Sequence, residues 1–361
     1  YGVVGEGMGH ATRSRVVLRH LLARGHEVQI VVSGRAHDLL AEEFPQVRRI
    51  HGLELVYGEN EVQKRKTFLA NLEGLNAGLP DNVKAWFRLV REFAPEVVIS
   101  DFESWSYLYG RNRRLPVISI DNMQVINRCA HGDLLEGHKK AFRLAKTIVK
   151  AKLPGCAHYL VTTFFYPPVR KKRTTLVPPI LRDEVLAARA TASDEGHVLV
   201  YQSGETHGAL VDVLRTFGDT EFRVYGLRRD LQETERDGNI TWRPFSQQGF
   251  IDDLASSRAA IAGGGFSLMG EAVFLGKPML SVPLIGQFEQ TLNALWLEKL
   301  RYGLYRQTVT REDIGVLLER APEFAQALLG HTQDGNRELL ANVDGLLKHI
   351  EFGRVRVTLE A

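Results

Sequence analysis

Cysteine is nearly missing from this chain of 361 residues, with only Cys129 and Cys156 present. Two cysteines cannot build a disulfide framework, and these two show no metal-ligand spacing, so a reducing, cytoplasmic setting is expected. Long apolar runs are also lacking. None reaches the roughly 18 residues of a membrane span, and no signal-peptide pattern opens the chain. Neither sign of charge dominates: 46 Lys and Arg face 43 Asp and Glu, for a net charge of +3. That balance argues against a dedicated nucleic-acid binder. An Asp-x-Asp motif, which would hold a divalent ion on a diphosphate, is absent as well, so neither a metal nor a cofactor is expected. What is present is an ordinary globular composition, 44% apolar and 25% charged, in a chain long enough for two domains with a core each.

Hydrophobic periodicity alternates between two patterns. Residues 1–4, 27–32, 97–100 and 117–120 read as strands, and 11–23 and 36–44 as helices. Tyr1 falls inside the first strand, so a few residues are expected to precede it. Residues 59–93 read as mostly helical, with a break at 78–81 where Asp81 can cap the second helix. A boundary follows. Pro167-Pro168, the run Arg170-Lys171-Lys172-Arg173 and Pro178-Pro179 read as a linker over 166–180. Alternation then restarts, with strands at 197–201, 222–225, 240–242, 259–262 and 279–282 and helices at 209–217, 267–275 and 291–300. Thr310 with Asp313 opens another helix as a capping box, and 335–350 closes the chain. The expected fold is therefore α/β: two doubly wound domains, 1–165 and 181–335, facing across a cleft at the carboxyl ends of their strands, with a last helix in 336–361. No internal sequence repeat is present.

The densest chemistry lies in Gly263-Gly264-Gly265-Phe266-Ser267-Leu268-Met269-Gly270-Glu271, then Lys277-Pro278, Pro283 and Glu289-Gln290-Thr291-Leu292-Asn293. A glycine turn after an apolar strand lets backbone N–H groups approach a phosphate, and a helix opening near Ser267 adds its positive end. The triplet by itself fits an ordinary strand-to-helix turn equally well. With its spacing, the stretch from Phe245 to Asn293 resembles the donor-binding signature of GT-B glycosyltransferases, the nucleotide-sugar enzymes that include the UDP-glycosyltransferases and the lipid II-forming N-acetylglucosaminyltransferase. The resemblance implies that Trp242 of Trp242-Arg243-Pro244 stacks on the base, and that Phe245 and Phe266 belong to the donor site. It further implies that Glu271 holds the ribose and that Glu289-Gln290 reads the sugar hydroxyls. Plant members carry a phosphate-binding His where Gly263 stands here, so diphosphate contact falls on backbone amides and Ser267. Ser203 and Gly204, after the strand at 197–201, either join the phosphate contacts or form a plain turn.

Near the N-terminus, Gly5-Glu6-Gly7-Met8-Gly9-His10 follows the first strand without completing a dinucleotide fingerprint. In the resembling family a His after such a loop is the general base, and His10 matches it; a capping or polar surface residue at a helix start is its other reading. An imidazole titrating near neutral pH suits removal of an acceptor proton, and a carboxylate behind it would fix its tautomer. Asp101, ending the strand at 97–100, is the candidate partner; capping the helix that follows is its other reading. Gly7, Met8, Gly9, Asp121 and Asn122 are candidate acceptor contacts, the last two alternatively a strand-end turn. His26, beside the helix stop Gly25, reads as structural. The basic helix at 138–153 either covers a core with a solvated face or rests on an anionic membrane at the inner face. The expected activity is inverting, metal-independent transfer of a sugar from a nucleotide diphosphate, UDP in the first instance, to a hydroxyl acceptor. The alternatives are a nucleotide-sugar hydrolase or 2-epimerase on the same fold, or a non-catalytic nucleotide-sugar binder.

Overall fold

A computed structural model describes residues 1–5, 8–51, 57–58, 61–62, 89–202, 208–228 and 230–359. The chain divides into two compact units. The first comprises Tyr1–Val56, Gln63–Ile180 and Asp334–Ala361; the second comprises Tyr57–Val62 and Leu181–Gln333.

The first unit is built on a parallel seven-stranded sheet of β1 (Gly2–Val3), β2 (Ile30–Val32), β3 (Val47–Arg49), β6 (Val98–Asp101), β7 (Val117–Asp121), β8 (His158–Thr162) and β9 (Thr174–Val177), ordered β3-β2-β1-β6-β7-β8-β9. Strands buried on both faces need apolar, β-branched runs, and Val98-Ile99 and Val117-Ile118 supply them. The helix Met8–Ala23 turns Ala11, Val17, Leu18 and Leu21 toward the sheet at helical spacing. It stops where expected: Gly25 takes φ +83°, its N–H bonds Leu22 O at 2.9 Å, and His26 N–H bonds Leu21 O at 3.1 Å. That is a Schellman ending, so His26 is a structural turn residue. The closing helix, Arg337–Leu359, packs Leu339 and Val343 into the core formed by Val16, Val17 and Leu21, and His20 Nε2 meets Asp344 at 2.8 Å.

In the second unit, β10 (Val198–Tyr201), β11 (Phe222–Tyr225), β12 (Glu235–Asp237), β13 (Ile240–Trp242), β14 (Ala259–Ala262), β15 (Met279–Ser281) and β16 (Gly303–Tyr305) form a second sheet, ordered β12-β13-β11-β10-β14-β15-β16. Only β12 runs antiparallel, against β13. Thr310 and Asp313 form the expected capping box on the helix Arg311–Leu328.

Two expectations are corrected. Residues 166–180 are not a free linker, because Thr174–Val177 is the seventh strand of the first sheet and pairs with β8 in register Tyr159 to Thr174. Proline and basic residues on both sides disguise a β-branched Thr-Thr-Leu-Val core. Within 59–93, β5 (Glu61–Val62) pairs antiparallel with β4 (Tyr57–Gly58), and Leu89–Phe93 is a single π-helical turn. The break at 78–81 and Asp81 lie outside the described residues.

Candidate active site

Both sheets switch direction of growth once. Counting each sheet's parallel strands in chain order, β1 and β6 flank the switch in the first unit and β10 and β14 in the second. Loops at the carboxyl ends of such a pair diverge and leave a crevice for ligands.

In the first unit that position holds four polar side chains. His10 lies in the first turn of the helix Met8–Ala23, which starts earlier than the expected residue 11, so Met8 and Gly9 are helical rather than part of a loop. Its Nδ1 is 3.0 Å from Asp101 Oδ1, and its ring keeps 21% of its surface exposed. Asp101, at the end of β6, is 1% exposed. Arg13 donates to the same carboxylate from Nε to Oδ2 at 2.9 Å and from Nη2 to Oδ1 at 2.5 Å. Ser14 Oγ donates to Oδ2 at 3.1 Å. Arg13 and Ser14 stand three and four residues after His10, one helical turn along the same face. That spacing was visible in the sequence but received no role.

Burial alone would raise the Asp101 carboxyl, yet the Arg13 guanidinium and His10 outweigh it and hold Asp101 well below the usual carboxylate range. Burial lowers His10, and Arg13 lowers it further against the pull of Asp101. The imidazole is therefore biased toward its neutral form. Asp101 is not the cap of the next helix. Glu103 is, accepting from Trp105 N–H at 2.7 Å and Ser106 N–H at 2.6 Å. Between them Phe102 sits at φ +53°, a left-handed conformation costing a bulky residue about 1–2 kcal/mol, with Lys152 Nζ 4.1 Å from its ring centroid. Strain of this kind clusters at functional sites.

The acceptor role expected of Asp121 and Asn122 is corrected. Asp121 is fully buried, accepts from Gln124 N–H at 2.8 Å and from Ser119 Oγ, and is pushed up to about 6 by burial. Asn122 Nδ2 donates to Thr162 O at 3.0 Å. These are strand-end supports without a face to offer. Gly7 lies outside the described residues, as do Ser203 and Gly204, and nothing is described of the Met8 side chain.

In the second unit Gly263-Gly264-Gly265 leaves β14 and enters the helix Phe266–Leu275, whose N-cap is Gly265 and whose first turn has no side-chain cap. Gly264 N–H donates to Gln290 Oε1 at 3.3 Å, Leu284 N–H donates to the same atom at 3.0 Å, and Gln290 Nε2 donates to Gln287 Oε1 at 2.6 Å. Asn293 Nδ2 bridges Gly264 O and Glu289 Oε1, each at 3.1 Å. The structure thus brings Gln290 and Glu289 to the glycine turn, with Gln290 as its brace. Ser267 is half-buried in the helix's first turn.

Two donor expectations need correction. Trp242 is 9% exposed inside the core with Val224 and Ile240, so its face is unavailable for stacking; Phe245, three residues on, is 84% exposed. Glu271 is buried, and both its oxygens take hydrogen bonds from Arg182, Nε and Nη2 each at 2.7 Å, which closes it to a ribose diol. Arg182 gave no sequence signal, being 89 residues away. Among the described residues no three His, Cys, Asp or Glu side chains gather as a metal ion would need, and no helix is long and apolar enough to cross a membrane.

The profile of glycosyl transferase family 1 matches residues 1–322, and the chain belongs to that family. Uncharacterized glycosyltransferases of Methanosarcina mazei and Methanosarcina acetivorans are 26% and 23% identical over 328 and 340 residues, covering 83% and 86% of this chain and 83% and 84% of theirs. In structure the chain is similar to the glycotransferase of kitacinnamycin, at TM-score 0.64 and 20% identity over 97% of both chains. It is also similar to Acinetobacter baumannii MurG, at TM-score 0.61 and 15% identity over 95% of this chain and 99% of that one. The fold is GT-B, and the protein is a glycosyltransferase.

Proposed function

We propose that this glycosyltransferase moves a sugar from a UDP-sugar to a hydroxyl acceptor with inversion and without a divalent ion. The observation that carries the reading is the contact of His10 Nδ1 with Asp101 at 3.0 Å at the switch point of the first sheet, on a ring that burial and then Arg13 bias toward its neutral form. In the reactive tautomer Nδ1–H donates to Asp101 and Nε2 takes the acceptor's hydroxyl proton. The acceptor oxygen then attacks the anomeric carbon from the face opposite the leaving group, and the bond from that carbon to the phosphate oxygen breaks. The departing diphosphate carries the electron pair. Supporting its reception in the second unit are the exposed Gly265, which as N-cap of Phe266–Leu275 brings no side chain of its own, and Ser267, with Phe245 as the aromatic surface for the base and Glu289 for the sugar. Ribose contact moves off Glu271, which Arg182 occupies.

The experiment is transfer by His10→Ala, with donor affinity measured alongside. Activity is expected to fall by about 10²–10⁴ with UDP-sugar binding retained, and EDTA is expected to leave both unchanged. Full activity in His10→Ala, or loss of transfer in EDTA, overturns this mechanism. Release of free sugar without an acceptor points to hydrolysis instead.

We also propose that the first unit rests on an anionic membrane surface. Supporting this, the helix Lys139–Lys152 carries no acid and five cations besides Lys152, which packs on Phe102, and its Leu144 and Ile148, one turn apart, are 53% and 55% exposed rather than turned to the core.

A further inference from the structure

Arg13 stands where the proposed base would need it least. Its Nη2 is 2.5 Å from Asp101 Oδ1 and 2.6 Å from His10 Nδ1, while those two atoms are 3.0 Å apart, so three polar atoms close a triangle. Guanidinium nitrogens only donate. With one Nη2 hydrogen on Asp101 and the other on His10, Nδ1 must present its lone pair, and the imidazole proton then sits on Nε2. The opposite tautomer points Nδ1–H at Asp101 and brings it against an N–H of Arg13. A side chain merely filling space would not select between them.

We infer that Arg13 is a positioning residue for His10: from one nitrogen it ties both the Asp101 carboxylate and Nδ1, holding the free enzyme in the tautomer that cannot accept a proton at Nε2. The reactive tautomer forms when the contact between Nη2 and Nδ1 is broken and the proton moves to Nδ1. Nothing in the ion pair itself prevents this, because Nε keeps its own bond to Oδ2 at 2.9 Å. The device depends on the fork of an arginine, which reaches two acceptors at once where an ammonium is a single point. Other charges facing the pair are Lys152, which also disfavours imidazolium, Asp121, which acts on both Arg13 and Asp101, and the Tyr1 hydroxyl near Asp101 and Ser14.

The inference rests on the catalytic reading of His10 only in its kinetic consequence, so its test is spectroscopic first. Nitrogen-15 histidine spectra of the full chain distinguish protonated from bare ring nitrogens, and His10→Gln identifies the His10 signals among the twelve histidines. The wild type is expected to carry its proton on Nε2. Arg13→Lys keeps a charge beside Asp101 but loses the fork, and it is expected to move the proton to Nδ1. Arg13→Met is expected to do the same and to raise the His10 titration midpoint by about 1–3 pH units, the range for gaining an unopposed carboxylate. A proton already on Nδ1 in the wild type overturns the inference without any variant. So does an unchanged tautomer in folded Arg13→Lys. If the tautomer moves as expected but the acid limb of kcat/KM does not follow the His10 midpoint, the positioning role stands and the general-base reading of His10 falls.

Discussion

Asp101 and Asp121 end neighbouring strands and are both buried, yet they titrate in opposite directions. Two oxygens of Asp101 take four contacts, two of them from a guanidinium, and its folded pKa lies below the 3.8 of an exposed Asp. It therefore contributes stability that is present above about pH 4 and lost as pH falls through the folded value. Asp121 has a hydroxyl and one backbone amide but, among the described residues, no cation bonded to it, and its pKa rises to about 6. The folded state then holds the proton that the unfolded chain releases. Stability is full below about pH 4 and falls by about 3 kcal/mol as pH rises through 6. Asp121→Asn is expected to stabilise the protein at pH 7.5 and to have little effect at pH 4, with urea unfolding at both values as the measurement; an equal effect at both means Asp121 is ionised in the fold. From the sequence the two aspartates looked alike, each a polar residue after an apolar run. What separates them is Arg13, and its contact with residue 101 is set by tertiary packing that no local pattern encodes. Trp242 misled for the reverse reason: its sequence neighbours matched a stacking site, but its own strand turned it to the core.

Local chemistry was legible where an element ends itself. The stop at Gly25 and the capping box of Thr310 and Asp313 need only their own neighbours, and both formed as read. The strand Thr174–Val177 was not legible, because its partner His158–Thr162 lies beyond the proline and basic residues that masked it. The glycine turn combines both cases. Its position after β14 was readable, but the sequence could not assign separate tasks to three identical residues. A Cβ on Gly264 would stand 2.5 Å from Gln290 O and 2.8 Å from its carbonyl carbon, so the backbone there must shift; a Cβ on Gly265 meets nothing within 4 Å. Gly265 also has φ −64°, open to any residue. Gly264→Ala is therefore expected to destabilise by about 1–3 kcal/mol, the usual cost of overpacking. Gly265→Ala is expected to leave the melting temperature unchanged while weakening UDP binding, since its new methyl stands where the diphosphate would approach. Calorimetric unfolding paired with UDP titration decides it. Unchanged UDP affinity in Gly265→Ala moves the phosphates elsewhere.

For the whole molecule, a net charge of +3 hides a segregated distribution. The helix Lys139–Lys152 holds six cations, and the run Arg170-Lys171-Lys172-Arg173 adds four beside it. That the two are contiguous follows from Lys171, whose ammonium is lowered first by burial and then by Arg128, Lys146 and Lys150. Like charges gathered on one side of a nearly neutral protein repel one another, and an anionic counter-surface would relieve that repulsion. An anionic bilayer supplies about 1 kcal/mol for each cation that reaches it, and Leu144 and Ile148 add the apolar contact that salt does not screen. The full chain is therefore expected to sediment with vesicles containing phosphatidylglycerol and to stay in solution with phosphatidylcholine alone. Raising ionic strength toward 1 M, where the screening length is about 3 Å, should weaken but not abolish this binding. Leu144→Ser with Ile148→Ser should make the remainder fully salt-sensitive, and Lys140→Glu with Arg143→Glu should weaken binding at low salt while changing it little near 1 M. Equal sedimentation with both vesicle types, or none with either, would show that this face serves something other than a membrane.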